Sequence, residues 1–273
     1  MLINKNPESP FIINEYCGKA FLAFARILLA SIPNKQKRKE AKRLTRDLVE
    51  YRFDPVKSLT LLTCCQYKLY QENTQSVQTI ILGSSHGRFA FIPKTPSEIN
   101  LSFNSADLYY IKKQIEKTIT QTNAKLYILF FSTFHSGYIL QKSSLAADPI
   151  TSSIHLLWNI EYNPDGEVSE KELEMCNSVK KYINYNYDNI TPNYDYYTQL
   201  SRQQMQDDTD KQIVKFKNKE MFFENSAKNR ATGHQKFSTK NTELKHLDSI
   251  IDIINQNGRK LVIITPPLQQ ILL

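Results

Sequence analysis

With 273 residues, 41% of them apolar, and a mean hydropathy of −0.45, the chain has room for one large α/β domain with polar additions. It has only 7 glycines, and neither GxGxxG nor GxxxxGK followed by Ser or Thr occurs, which excludes the glycine-rich nucleotide loops. Cys17, Cys64, Cys65 and Cys176 have no CxxC spacing, and the five histidines have no HxxxH or HExxH spacing, which argues against a disulfide framework and a metal site built from histidine pairs. A reducing, cytoplasmic compartment fits this cysteine usage.

The formal net charge of +8 is concentrated at Lys35-Gln36-Lys37-Arg38-Lys39, Lys42-Arg43 and Arg46. The first residues lack the charged start, apolar core and small-residue cleavage site of a signal peptide. No segment reaches the ~18–20 apolar residues of a spanning helix. Residues 17–32 read as an apolar helix ended by Pro33, and residues 34–52 as a charged helix. Together, residues 17–46 could rest on an anionic membrane face, giving a peripheral position at the inner membrane; alternatively, they are a packed helix and a solvated one. No nucleic-acid partner is expected, because the basic run lacks interleaved aromatics.

A further helix is expected over 56–72, after the break at Asp54-Pro55. An α/β pattern follows. Strands are expected at 77–82, 99–104, 125–131 and 260–265, with helices at 106–120 and 243–257. Asn257-Gly258 reads as a C-cap. Such alternation predicts a mostly parallel sheet. The division expected is an N-terminal tail and helical extension over 1–76 and an α/β domain over 77–273. A polar insertion of helices and loops occupies about 136–242. Tyr182, Tyr185, Tyr187, Tyr194, Tyr196 and Tyr197 in that insertion could stack on sugars or simply pack half-buried.

Three strand ends carry the chemistry: Gly83-Ser84-Ser85-His86, Ser102-Phe103-Asn104-Ser105-Ala106-Asp107 and Phe131-Ser132-Thr133-Phe134-His135-Ser136-Gly137. In an open parallel sheet these ends share one edge, where ligands bind. Ser85 is the candidate nucleophile, with Asn104 or Ser105 as an oxyanion donor and His135 as a possible base. The same block also fits a plain strand-to-helix turn with Ser84 or Ser85 as N-cap.

The blocks Ile81-Leu82-Gly83-Ser84-Ser85-His86, Asn100-Leu101-Ser102-Phe103-Asn104 and Tyr127-Ile128-Leu129-Phe130-Phe131-Ser132 resemble those of the SGNH (GDSL-like) hydrolase superfamily. The closest likeness is to the branch found in bacterial capsule and surface-polysaccharide gene clusters. The resemblance covers roughly residues 77–135 and 243–267. It implies a flavodoxin-like, three-layer SGNH sandwich with Ser85 as nucleophile and Gly83, Asn104 and Ser105 around the oxyanion or substrate. It implies an acyl esterase or O-acetyltransferase acting on a carbohydrate or polysaccharide. No bound cofactor is implied; acetyl-CoA is the natural acyl donor in the transferase case.

The chain departs from the family pattern at Ser84, where the family has Asp. It departs again at Ser132-Thr133-Phe134-His135, where the family has Gly-x-Asn-Asp. No Asp-x-x-His follows Ile264, so against the family pattern either the chain is truncated or the base comes from elsewhere, and the resemblance implies a chain inactive or impaired as it stands. His135 is the first internal substitute and His234 the second, the latter also fitting a capping or bridging role. The rival reading is a non-catalytic carbohydrate-binding or polysaccharide-assembly protein on a degenerate SGNH fold.

Overall fold

The computed structural model describes Ala30 and residues 32–39, 55–190 and 219–265. The expected apolar helix lies almost wholly outside these residues, as do Cys17, Tyr194, Tyr196 and Tyr197. Of the basic helix, residues 35–39 are helical, and Lys35, Lys37 and Lys39 are exposed. The Asn34 side chain accepts the N–H groups of Gln36 and Lys37, so this helix starts directly after Pro33. Among the described residues no helix is long and apolar enough to cross a membrane.

Four strands make one sheet: β1 (Thr79–Gly83), β2 (Glu98–Asn100), β3 (Leu126–Phe130) and β4 (Lys260–Ile264). All pairs are parallel, in the order β2-β1-β3-β4. The chain leaves β1 on one side to form β2 and then returns to β1's other side as β3. The carboxyl ends of β1 and β3 therefore flank a topological switch point. β1 is buried at Ile80, Ile81 and Leu82, which explains its unbroken apolar run.

Among the described residues, seven helices of six or more residues surround the sheet: α1 (Pro55–Asn73), α2 (Ser85–Ala90), α3 (Leu108–Gln121), α4 (Pro149–Trp158), α5 (Glu170–Asn186), α6 (Lys219–Ser238) and α7 (Leu244–Gln256). Every second residue of the central strands, Ile80, Leu82, Tyr127 and Leu129, joins one core with Ile111 and Ile115 of α3 and Ile250 and Ile254 of α7. The 3.6-residue spacing of those isoleucines is the signal by which both helices were legible.

Tyr70 of α1 and Ile150, Ile154 and Trp158 of α4 belong to that same core. The helix at 55–73 and the first helix of the expected insertion thus contribute side chains to the core of the sheet. Gln66, 4% exposed, ties α1 to the second strand end by donating to the carbonyls of Asn100 and Ser102.

β2 is shorter than the expected 99–104. The Asn100 amide donates to the carbonyls of Gly87 and Phe91, and its oxygen accepts the N–H of Ser102, which turns the chain. The N–H groups of Leu101 and Phe103 still reach the carbonyls of Ile81 and Gly83. The loop beyond β2 is thereby held against the end of β1. At the other end of α7, Gly258 has φ +63°, as the Asn-Gly reading anticipates. Tyr182 and Tyr187 pack half-buried beside Leu61 and Cys65, whereas Tyr185 is exposed. Cys64, Cys65 and Cys176 are free thiols, and burial pushes the Cys64 thiol up.

Candidate active site at the carboxyl edge of the sheet

β1 ends at Gly83, whose φ is +138° and whose Cα lies against Phe130 of β3. A Cβ there would sit 2.7 Å from the Phe130 carbonyl oxygen. Four residues on, a Cβ at Gly87 would meet the Ser102 hydroxyl at 2.6 Å. The two glycines of Gly83-Ser84-Ser85-His86-Gly87 thus let the short helix α2 lie directly on the ends of β1, β3 and the loop after β2. Ser84 occupies the N-cap position and Ser85 the first helical position. Ser84 makes no cap bond with its side chain. Its Oγ instead lies 3.2 Å from Nδ1 of His86, and the Ser132 Oγ lies 3.0 Å from the same nitrogen.

Ser85 is half-buried and faces a cavity of about 700 Å³. His86, Ser105 and His234 share that cavity, with an aromatic wall that includes Phe89, Phe134 and Phe237. Of the residues singled out from the sequence, the structure brings Ser85, Ser105 and His234 together. Ser105 has φ +59°, a left-handed conformation costing roughly 1–2 kcal/mol in a residue other than glycine. Such strain persists only where the surroundings impose it. Gly83 and Asn104 do not line the cavity. Gly83 instead serves the close approach of α2 and β3. The Asn104 Oδ1 is buried without a hydrogen-bond partner among the described residues.

His135 has another role than the expected base. It is fully buried, its Nδ1 accepts the N–H of Ser132, and its Nε2 donates to the Ala106 carbonyl. Its ring lies between Phe131 and Phe134. Both nitrogens are committed to backbone, so His135 clamps the third strand-end loop to the second. Asp107 adds a second clamp. One carboxylate oxygen caps α3 through the N–H of Tyr110, and the other accepts the N–H of Leu140. Burial raises the Asp107 pKa to about 6.

Burial also lowers the His135 pKa from 6.5 to about 3. Above pH 6.5 both folded and unfolded chains hold this imidazole neutral, and nothing is lost. Below it the unfolded chain takes up a proton that the native site refuses, so stability falls as the pH drops toward 3. A His135→Gln chain lacks this linkage. The stability advantage of the parent over His135→Gln should therefore shrink by about 2 kcal/mol between pH 7 and pH 5. Urea unfolding at the two pH values measures it. An advantage that does not change with pH would show that the native ring protonates normally.

His86 is a further residue of the cavity, and its signal in the sequence is its place directly after the candidate serine. The aromatic wall has no local signal, because Phe237 arrives from α6, far along the chain. That helix is seated by Gly137, where a Cβ would meet the Phe237 carbonyl at 2.6 Å, and by the Ser136 hydroxyl, which donates to the same oxygen. The His234 ring then packs on Phe134 with centroids 5.0 Å apart. Comparison of the chain with protein-family models, curated proteins and solved structures finds no match.

Proposed function

We propose that this chain is an SGNH-type serine acyl esterase or O-acetyltransferase acting on a bacterial surface polysaccharide. The observation that carries the proposal is the convergence of Ser85, His234 and Ser105 on one cavity at the end of β1. The strand order β2-β1-β3-β4 agrees with the first four positions of the flavodoxin-type order, in which ligands bind at this same edge. In the proposed reaction the Ser85 Oγ attacks the acyl carbon and gives its proton to a histidine. The ester's alcohol leaves with a proton, and an acyl-serine remains. Water or a sugar hydroxyl then takes the acyl group. At the first helical position the N–H of Ser85 has no intrahelical partner, so it can act as an oxyanion donor.

The test uses p-nitrophenyl acetate, with and without acetyl-CoA and a polysaccharide acceptor. Ser85→Ala is expected to lower kcat/KM on the activated ester by at least ~10³-fold, as removing a catalytic serine does elsewhere. Turnover that survives Ser85→Ala would remove the nucleophile. Acetyl transfer from acetyl-CoA to the acceptor, compared with release to water, separates transferase from esterase. A cytoplasmic protein touching the inner membrane face through residues 17–46 belongs to the same proposal, and co-sedimentation with anionic vesicles tests it.

A second reading has its own support. Phe89, Phe134 and Phe237 border the cavity, and Nδ1 of His86 is engaged by the Ser84 and Ser132 hydroxyls. A non-catalytic carbohydrate-binding protein would use the rings as stacking faces. Glycan binding unchanged by Ser85→Ala, with no ester turnover by the parent, would favour it.

A further inference from the structure

A second cluster of chemistry-bearing side chains stands apart from Ser85. Glu243 sits immediately before α7, and His246 follows three residues later, so the two share one face of the helix. Glu243 is 1% exposed and His246 8% exposed. The Glu243 Oε2 and the His246 Nε2 are both buried with no hydrogen-bond partner among the described residues, yet they face each other at 3.7 Å. Leaving such atoms unsatisfied is unfavourable, the more so for a carboxylate oxygen. From the loop after α4, Asp165 brings a second carboxylate. One ligand atom from each of the three residues lies within 4.8 Å of the others.

We infer that Asp165, Glu243 and His246 form a binding site for a divalent cation of the zinc class. Two carboxylates and an imidazole are the ligand types that zinc takes, and a fourth position would be left to water. Zinc bonds of ~2.0–2.1 Å at a tetrahedral angle put neighbouring ligand atoms ~3.3 Å apart. The Glu243–His246 separation exceeds that by a few tenths of an ångström, which a small side-chain rotation closes. Asp165 has the freedom to adjust, because its side chain is 40% exposed. Lys245 holds its Oδ2 at 2.7 Å, and coordination through Oδ1 keeps that ion pair.

The expected role is structural. The N–H of Glu243 donates to the Ser136 carbonyl, and the Ser136 hydroxyl donates to the Phe237 carbonyl. A cation would tie the Asp165 loop to the α6–α7 junction, which is already fastened to the turn behind the Ser85 cavity. This inference does not depend on the proposed esterase chemistry.

The experiment uses the full chain, stripped with a chelator and then titrated with zinc chloride. Binding is followed by calorimetry and thermal melting. Cobalt(II) is a second probe, through the visible absorption of its tetrahedral complexes. One bound equivalent is expected, with a Tm rise of roughly 5–10 °C at a hundredfold excess over Kd. His246→Gln and Glu243→Gln should abolish both the binding and the rise. Asp165→Asn, at an exposed position that tolerates change, should weaken binding at least tenfold. A double His86→Gln/His234→Gln chain should bind as the parent does. Absence of a zinc-dependent shift, or binding unaffected by Asp165→Asn and His246→Gln, would overturn the inference. If the buried variants fail to fold without metal, the Asp165→Asn result and the cobalt spectrum still decide.

Discussion

Replacing Gly83 by alanine is expected to cost about 2–6 kcal/mol of stability. Two effects add. At φ +138° an alanine backbone is strained by ~1–3 kcal/mol. Its Cβ would also lie 2.7 Å from the Phe130 carbonyl oxygen and 2.8 Å from the Phe130 Cβ. Phe130 cannot withdraw easily, because β3 is hydrogen-bonded to β1 on one side and to β4 on the other. Overpacking of this kind costs ~1–3 kcal/mol. Against a typical total of ~5–15 kcal/mol, the loss brings the fold close to failure and lowers the Tm by about 10 °C. Gly233→Ala is the control. Apart from its chain neighbours and its own helix backbone, no atom of the described residues lies within 4 Å of a Cβ there, and the residue is inside α6. Alanine is the better helix former by ~1 kcal/mol, so the Tm should hold or rise slightly. A Gly83→Ala chain as stable as the parent would mean that the β1–α2 junction is not packed as described.

The same junction shows what was legible in the sequence. An apolar run ending at glycine and passing into Ser-Ser-His marked a strand end correctly, because β1 is buried on both faces and its carboxyl edge must turn polar. The isoleucine spacing of α3 and α7 was equally plain. Residues whose roles depend on distant partners were not readable. His135 looked like a reactive group at a strand end, but the Ala106 carbonyl and the Ser132 N–H bind both its nitrogens. The part that α1 plays in the core was equally hidden, because its low amphipathicity conceals a helix buried through Leu61, Leu62 and Cys65. Tertiary contacts decide such cases, and neither period nor spacing encodes them.

With His135 committed to backbone, His86 and His234 are the histidines that line the Ser85 cavity, and His234→Ala is expected to cause the larger kinetic defect. His86 directly follows Ser85 on α2, and adjacent helical residues point in different directions. Its Nδ1 is also held between the Ser84 and Ser132 hydroxyls, which fixes the ring beside its own loop. His234 enters from α6, with its ring packed on Phe134. A base that comes from a separate element can approach the nucleophile without bending the helix that carries it. His234→Ala should therefore lower kcat/KM on an activated acetyl ester by ~10²–10⁴-fold, the usual contribution of a general base. His86→Ala should cost under about tenfold, chiefly through loosened packing of the Ser84 and Ser132 loops. If Ser85 and His234 act as a unit, the double variant Ser85→Ala/His234→Ala should be no slower than Ser85→Ala alone. A larger defect in His86→Ala than in His234→Ala would reverse the assignment and make Nε2 of His86 the proton acceptor. Two near-normal histidine variants beside a dead Ser85→Ala would exclude both histidines as the required base.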